Sequence, residues 1–128
     1  MSARRQRAEA FGRWAEYFAM LVLFLKGYRL LDHRARTAAG EIDLVARRGD
    51  VLAFIEVKAR ASLDEARQAL SFHQTRRLTR AATIWRSGRP SLHHLAMRYD
   101  LVLVAPWQWP RHERAAWEPE EHIARDLL

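Results

Sequence analysis

Two carboxylic acids and one amine lie inside the most hydrophobic part of the sequence. Asp43, Glu56 and Lys58 are surrounded by aliphatic and aromatic residues in the stretch GEIDLVARRGDVLAFIEVKAR. The β-branched and aromatic residues on both sides of the Gly-containing turn predict a hairpin of two largely buried strands. A two-residue turn at Gly49-Asp50 places Asp43 opposite Glu56, and Lys58 shares their face. Burying charged side chains in a hydrophobic hairpin is unfavourable unless another charge or a ligand compensates for it.

Opposed carboxylates repel one another unless a cation lies between them. The cation can be the Lys58 ammonium, in which case the three residues form a structural ion-pair cluster. It can also be a divalent metal, because magnesium takes one or two protein carboxylates and completes its shell with water and substrate phosphate. A metal held by Asp43 and Glu56 would stabilise charge on a phosphate and lower the pKa of a bound water. Lys58 would then orient the water or stabilise the developing negative charge.

The surrounding sequence predicts the elements that must position this hairpin. In chain order they are a helix at 4–26, strands at 28–32, 41–47 and 51–59, a helix at 63–87, a strand at 97–106 and a short helix at 120–127. Gly27 is placed to stop the first helix, and Ser62 with Glu65 fits a capping box at the start of the second. The order α-β-β-β-α-β predicts an α/β fold, a mixed β-sheet flanked by helices, in a single domain over residues 1–128.

Charge and composition restrict the function classes. The net charge of +7 and the 22 basic residues among 128 favour a polyanionic partner. The absence of cysteine excludes a disulfide, a thiolate zinc site and a cysteine nucleophile. The apolar run 18–25 is far shorter than the roughly 20 residues of a membrane span, so no membrane partner is predicted. These features predict a cytoplasmic protein.

The residues around the hairpin also resemble a known family. The pattern D-x12-E-x-K, after an N-terminal helix that contains Glu16, resembles the PD-(D/E)XK nuclease superfamily. More closely, GYRLLDHRARTAAGEIDLVARRGDVLAFIEVKAR, with W-A-E-Y before it and Y-D-L-V-L-V after it, resembles the YraN family of small bacterial proteins. That family is similar in fold to archaeal Holliday junction resolvases. The resemblance extends from about Trp14 to Val104 and implies a restriction-endonuclease-like fold.

The resemblance implies a metal-dependent endonuclease that hydrolyses phosphodiester bonds in DNA, including branched DNA, with Mg²⁺ or Mn²⁺. It makes Asp43 and Glu56 the metal ligands, Lys58 the catalytic lysine, and Glu16 a further acid in the outer shell or at a second metal. The symmetric action of junction resolvases implies a homodimer. The chain departs from the family at Gln74, where a basic residue is more common. The alternative is a non-catalytic nucleic-acid-binding protein that retains the nuclease fold.

Several arginines and tryptophans are candidates for nucleic-acid contacts. A guanidinium group can bind two phosphate oxygens, which gives salt-dependent affinity without sequence preference. The candidate arginines are Arg36, Arg47, Arg60, Arg76, Arg77 and Arg80. Trp107, Trp109 and Trp117 can stack on unpaired bases, although packing in the core or at a subunit interface is the favoured interpretation. Asp100, just before an apolar run, is expected to cap or to pair with an arginine.

Overall fold

A computed structural model describes residues 2–119 and shows helices on both faces of a five-stranded sheet. The elements are α1 (Ala3–Leu25), β1 (Arg29–Thr37), β2 (Gly40–Arg48), β3 (Val51–Ala59), α2 (Leu63–Gln68), α3 (Phe72–Ser87), a 3₁₀ turn (Pro90–Leu92), β4 (Ala96–Val104) and β5 (Arg111–Glu113). The α/β class and the order α-β-β-β-α-β agree with the sequence prediction. The helix predicted at 120–127 lies outside the described residues.

The sheet is mixed, and its strands lie side by side in chain order. β1, β2 and β3 form an antiparallel meander, β4 runs parallel to β3, and β5 is antiparallel to β4. The turn between β2 and β3 has the predicted register, because Arg48 pairs with Val51. Gly49 adopts a φ of +58° in this turn, a conformation that glycine reaches without steric cost.

Each face of the sheet is covered by its own helices. α1 packs small residues, among them Ala15 and Ala19, against Leu44, Ile55 and neighbouring residues of the sheet. α3 covers the other face, where its contacts include Leu78, Ala82, Trp85, Val45 and Phe54. Alternate residues of β2 and β3 therefore face different helices. No helix within residues 2–119 is long and apolar enough to cross a membrane.

The helix predicted at 63–87 is two helices. Ser62 caps the first by accepting a hydrogen bond from the Glu65 N–H at 3.1 Å. Ser71 starts the second: its hydroxyl accepts the Gln74 N–H, and the Gln74 side chain accepts the Ser71 N–H. This capping box ends one helix and begins another, because the serine side chain competes with the continuing helical backbone bonds. Gln74 therefore has a capping role.

One predicted strand is longer in the structure, and one further strand was not predicted. The first strand was predicted at 28–32, yet β1 continues to Thr37 because its polar second half pairs with β2 as far as Gly40. Gly40 has a φ of +141° at the turn between them. The strand β5 was not predicted, since its three residues RHE carry no hydrophobic pattern and pair only with the edge of β4.

Candidate active site

The site lies where β2 and β3 move apart. Their paired register runs from the turn to Leu44 and Ile55. At the next residue of β2, a side chain contacts β3 in place of the backbone: Asp43 Oδ2 accepts a hydrogen bond from the backbone N–H of Val57 at 2.8 Å. This bond holds the Asp43 carboxyl close to that of Glu56, so that the charge of each group affects the other.

Lys58 completes the hairpin cluster. Its Nζ lies 3.6 Å from Glu56 Oε1, and both side chains are only 11% exposed. Asp43, Glu56 and Lys58, predicted to share a face, thus border one cavity of about 970 Å³. The N-terminal half of α1 and the residues after β3 form its other walls. The three groups are sheltered from bulk water yet open to a ligand.

Burial makes both carboxyl groups poor acids. It raises the pKa of Asp43, although the hydrogen bond from Val57 opposes the change. Burial and the nearby Asp43 charge raise the pKa of Glu56 to about 8, against the attraction of Lys58. The pair therefore keeps a proton near neutral pH, because one lysine does not offset two desolvated negative charges.

A divalent cation fits this donor set. Asp43 and Glu56 supply hard oxygen ligands, and a doubly charged ion in place of the shared proton would relieve the repulsion between them. Within residues 2–119, no group of three histidine, aspartate or glutamate side chains is arranged to hold a metal. Two protein carboxylates suit magnesium, which keeps several waters and binds substrate phosphate.

Glu16 lies in the same cavity but is held by other residues. Its Oε2 accepts from Arg34 Nη2 at 2.8 Å and from Arg34 Nε at 2.9 Å, and lies 3.1 Å from His33 Nε2. Consecutive strand residues normally point to opposite faces. Arg34 has a φ of +52°, which brings it and His33 to the same carboxylate. The Glu16 charge contributes to the raised pKa of Asp43, so it acts on the hairpin pair through space.

The structure places one of the six predicted arginines, the exposed Arg60, in the wall of the cavity. The others, which do not line it, are Arg36, Arg47, Arg76, Arg77 and Arg80. Arg36 lies near Glu41, and Arg47 donates to the carbonyl of Gly49 in the hairpin turn. The remaining three are on α3, which covers the opposite face of the sheet from α1.

Three arginines that were not among the predicted set line the cavity instead: Arg4, Arg13 and Arg34. Arg13 lies three residues before Glu16, a spacing that places both on one side of a helix, so helical spacing could have identified it. Arg34 lies near Asp43 only through the pairing of β1 with β2, and local sequence gives no signal for that. The cavity thus combines two carboxyl groups, one lysine and several guanidinium groups.

Asp100 forms a separate buried network. Arg98 donates to both of its carboxylate oxygens, at 2.8 and 2.7 Å, as the expected arginine pairing requires. His112 Nε2 lies 2.8 Å from Oδ2, and the Ala115 N–H donates to Oδ1 at 3.0 Å. Burial alone would raise the pKa of Asp100, but these hydrogen bonds outweigh it and lower the value. The network ties the strand β5 to the sheet.

A mixed sheet whose hairpin presents two carboxyl groups and a lysine to an arginine-lined cavity defines a class of small α/β protein. Residues 15–104 match the model of the family described as "Uncharacterised protein family UPF0102". The chain belongs to this family. A UPF0102 protein of Maricaulis maris is 66% identical over the whole length of both chains. A UPF0102 protein of Mesorhizobium japonicum is 50% identical over 91% of this chain and 93% of its own.

Proposed function

We propose that this protein is a metal-dependent endonuclease that hydrolyses phosphodiester bonds in DNA. The observation that carries the proposal is the close placement of the buried Asp43 and Glu56 carboxyl groups, with Lys58 beside them, at the wall of an open cavity. The resemblance of D-x12-E-x-K to the PD-(D/E)XK nucleases supports the same chemistry. The YraN-like sequence is the basis for including branched DNA among the substrates.

A purely structural ion-pair cluster explains the site less well. One lysine leaves two adjacent carboxyl groups with excess negative charge, and burying them costs more than hydrophobic residues of similar volume would. A cluster that only stabilised the fold would also have no need for a large opening lined by Arg4, Arg13 and Arg60. Such arginines suit a polyanion, in agreement with the net charge of +7.

Asp43 and Glu56 would hold Mg²⁺, or Mn²⁺ in its place. The metal, when bound, supplies charge stabilisation at the phosphate and a lower pKa for a coordinated water. Lys58 supplies hydrogen-bond donors and positive charge where negative charge develops. The Val57 N–H fixes the Asp43 carboxylate, and Arg34 holds Glu16 at the edge of the site. The arginines of the cavity wall would bind phosphates on either side of the scissile bond.

The test is cleavage of labelled linear, flap and four-way DNA in Mg²⁺, Mn²⁺ or EDTA. Wild-type protein is compared with Asp43→Asn and Lys58→Ala. Asp50→Asn is the matched control for the first, since Asp50 is exposed in the hairpin turn. Lys26→Ala is the control for the second, because Lys26 is the other lysine of the chain. We expect metal-dependent cleavage that both site variants lose and both controls keep.

Binding without cleavage gives a different conclusion. A protein that binds DNA equally well in EDTA and after Asp43→Asn, and cuts none of the substrates in either metal, is a nucleic-acid-binding protein that retains a nuclease fold. Cleavage that survives both Asp43→Asn and Lys58→Ala would refute the hairpin as the active site.

A further inference from the structure

From Trp14 onward, the helix α1 is apolar on its outer side as well as on its inner side. Ala15, Ala19, Val22 and Leu23 are buried against the sheet. On the outer side, spacings of three and four residues align Trp14, Tyr17, Phe18, Leu21, Phe24 and Leu25, all of them exposed. A stretch of helix that is apolar on two opposite sides is normally covered on both of them. One face of α1 is therefore left without cover by residues 2–119.

Two tryptophans after β4 extend this apolar surface. Trp107 is fully exposed and Trp109 is 65% exposed. Trp107 has a φ of +62°, an uncommon and costly conformation for a bulky residue. Together with Phe18 and Leu21 of α1, the two rings line a groove of about 360 Å³. We call the outer side of α1 with Trp107 and Trp109 the aromatic face.

The area of the aromatic face is that of a protein interface. With about 200 Å² for a whole aromatic side chain, the exposed fractions of its six aromatic residues amount to roughly 800 Å². The largest apolar patch on a typical monomer is about 300–600 Å². A standard interface buries about 800 Å² on each partner. The exposed area therefore matches one side of a stable complex.

We propose that the aromatic face binds a second copy of this chain in a two-fold symmetric dimer. A self-complementary surface must offer a projection and a recess, because the same patch meets itself. Phe24, 73% exposed, projects from α1, and the groove beside Phe18 and Leu21 is the recess. Two antiparallel copies of α1 would place the projection of each in the groove of the other.

Other occupants fit the aromatic face less well. Nucleic acid needs cations along its phosphates, and none of the residues that line the groove is charged. Aromatic rings that project from a protein can insert into a lipid surface, but a lipid surface has no fixed projection that would fill the groove beside them. Residues 120–128 carry only Ile123, Leu127 and Leu128 as large apolar residues, too few to cover the aromatic face. A second copy supplies an equal area of the same character.

The dimer would place its interface beside the candidate active site. Phe11 and Pro106 line both the groove and the cavity that holds Asp43 and Glu56. The partner would therefore extend the wall of each cavity, and the dimer would contain two cavities, each next to the interface. This consequence rests on the proposed function, whereas the pairing itself does not.

The first experiment is sedimentation velocity of the full-length protein. We expect the molar mass derived for wild-type protein to be twice the chain mass of 15.0 kDa. Leu21→Glu and Phe24→Glu should each shift it to the monomer, with an unchanged circular dichroism spectrum. Ile84→Glu is the matched control, because Ile84 is similarly exposed, at 42%, but lies on α3. It should remain dimeric.

Disulfide cross-linking locates the interface independently of variant stability. The chain contains no cysteine, so a single introduced thiol can react only with its counterpart in another copy. Among Tyr17→Cys, Leu21→Cys and Phe24→Cys, the position nearest the two-fold axis should form a covalent dimer under mild oxidation. Ile84→Cys should not.

Three results would overturn the proposal. They are a wild-type monomer at every concentration tested, a dimer that Leu21→Glu and Phe24→Glu leave intact, and cross-linking through Ile84→Cys alone. A monomer that binds vesicles of anionic lipid through Phe24 would assign the aromatic face to a membrane surface instead. None of these results depends on whether the protein cleaves DNA, so the dimer and the proposed function can fail separately.

Discussion

The Asp43 carboxylate accepts a hydrogen bond from the backbone N–H of Val57, with 2.8 Å between Oδ2 and N. Val57 lies between Glu56 and Lys58, so one side chain of β2 fixes the part of β3 that carries the other two candidate groups. The bond lies just past Leu44, where the pairing of the two strands ends. Asp43 thus has a structural role and a chemical role, which two substitutions can separate.

Asp43→Asn and Asp43→Ala should differ in stability but not in activity. An asparagine oxygen can still accept the Val57 N–H, so we expect little change in the free energy of unfolding. Alanine leaves that N–H without its acceptor, at a cost of about 1–3 kcal/mol. Both variants lose a charged ligand, so both should lose cleavage. Urea unfolding and DNA cleavage measure the two effects, and equal stability of the variants would contradict the structural role.

The stability of the metal-free protein should fall as pH rises, because of Glu56. Its pKa is raised from 4.5 to about 8, so the folded state holds a proton that the unfolded chain has released. This contribution is complete below pH 4.5, declines from there to pH 8, and is lost above it. We expect a change on the order of a few kcal/mol.

The matched variant for this prediction is Glu56→Gln, which stays neutral at every pH. Its free energy of unfolding should vary less between pH 4.5 and 8 than that of wild-type protein. Chemical denaturation in EDTA over that range is the measurement. A wild-type slope that Glu56→Gln leaves unchanged would show that another group is responsible.

Magnesium should stabilise the folded protein, and more so at pH 8 than at lower pH. The metal must displace the proton that Asp43 and Glu56 share, so proton and metal compete for one site. Saturation at a hundred times the dissociation constant would add about 2.7 kcal/mol. Thermal unfolding with Mg²⁺ or EDTA should show the shift in wild-type protein and in Asp50→Asn. Asp43→Asn should show none; a shift of equal size there would place the metal elsewhere.

The hairpin geometry could be predicted because it depends on local sequence. A Gly-Asp turn fixes the register as far as Leu44 and Ile55, and Asp43 and Glu56 are the next residues on each strand. The division of 63–87 into two helices was missed, because helical spacing of apolar residues continues across Ser71. Ser71 and Gln74 form a capping box, but in the sequence this pair indicates a helix start no more strongly than the apolar spacing indicates one continuous helix.

The walls of the cavity could not be predicted in the same way. A cluster of basic residues suggests Arg76, Arg77 and Arg80 as phosphate ligands, but none of the three lines the cavity. Arg77 even packs its stem against Gly40, where an added Cβ would lie 3.0 Å from it. Arg34 reaches Glu16 through strand pairing and a positive φ, neither of which local sequence encodes.

Arginines of the cavity wall should bind DNA, and those of α3 should not. Arg13→Ala and Arg60→Ala should each weaken DNA binding. Each should also make the fall of log affinity with log salt concentration less steep, by about 1 in the slope. Arg80→Ala is the matched control, since Arg80 is an exposed arginine on α3. Fluorescence anisotropy of labelled DNA across a salt series measures affinity and slope together. A larger effect from Arg80→Ala would move the interface to α3.

Asp100→Asn should destabilise the fold without changing the site. Arg98 and His112 would lose a charged partner inside the protein, and breaking a buried ion pair costs about 3–5 kcal/mol. The pKa of Asp100 is lowered from 3.8 in the folded state, so its contribution is complete above pH 3.8 and is lost as pH falls below it. The free energies of unfolding of wild-type protein and the variant should therefore become similar only in strong acid.

Asp100 does not line the cavity, so cleavage per folded molecule should be the same in Asp100→Asn and wild-type protein. Urea unfolding along a descending pH series, with cleavage assayed at a temperature where both proteins are folded, separates the two effects. A loss of cleavage without a loss of stability would connect Asp100 to the chemistry. Equal stability at neutral pH would show that the hydrogen bonds of Arg98 and His112 to an amide replace those to the carboxylate.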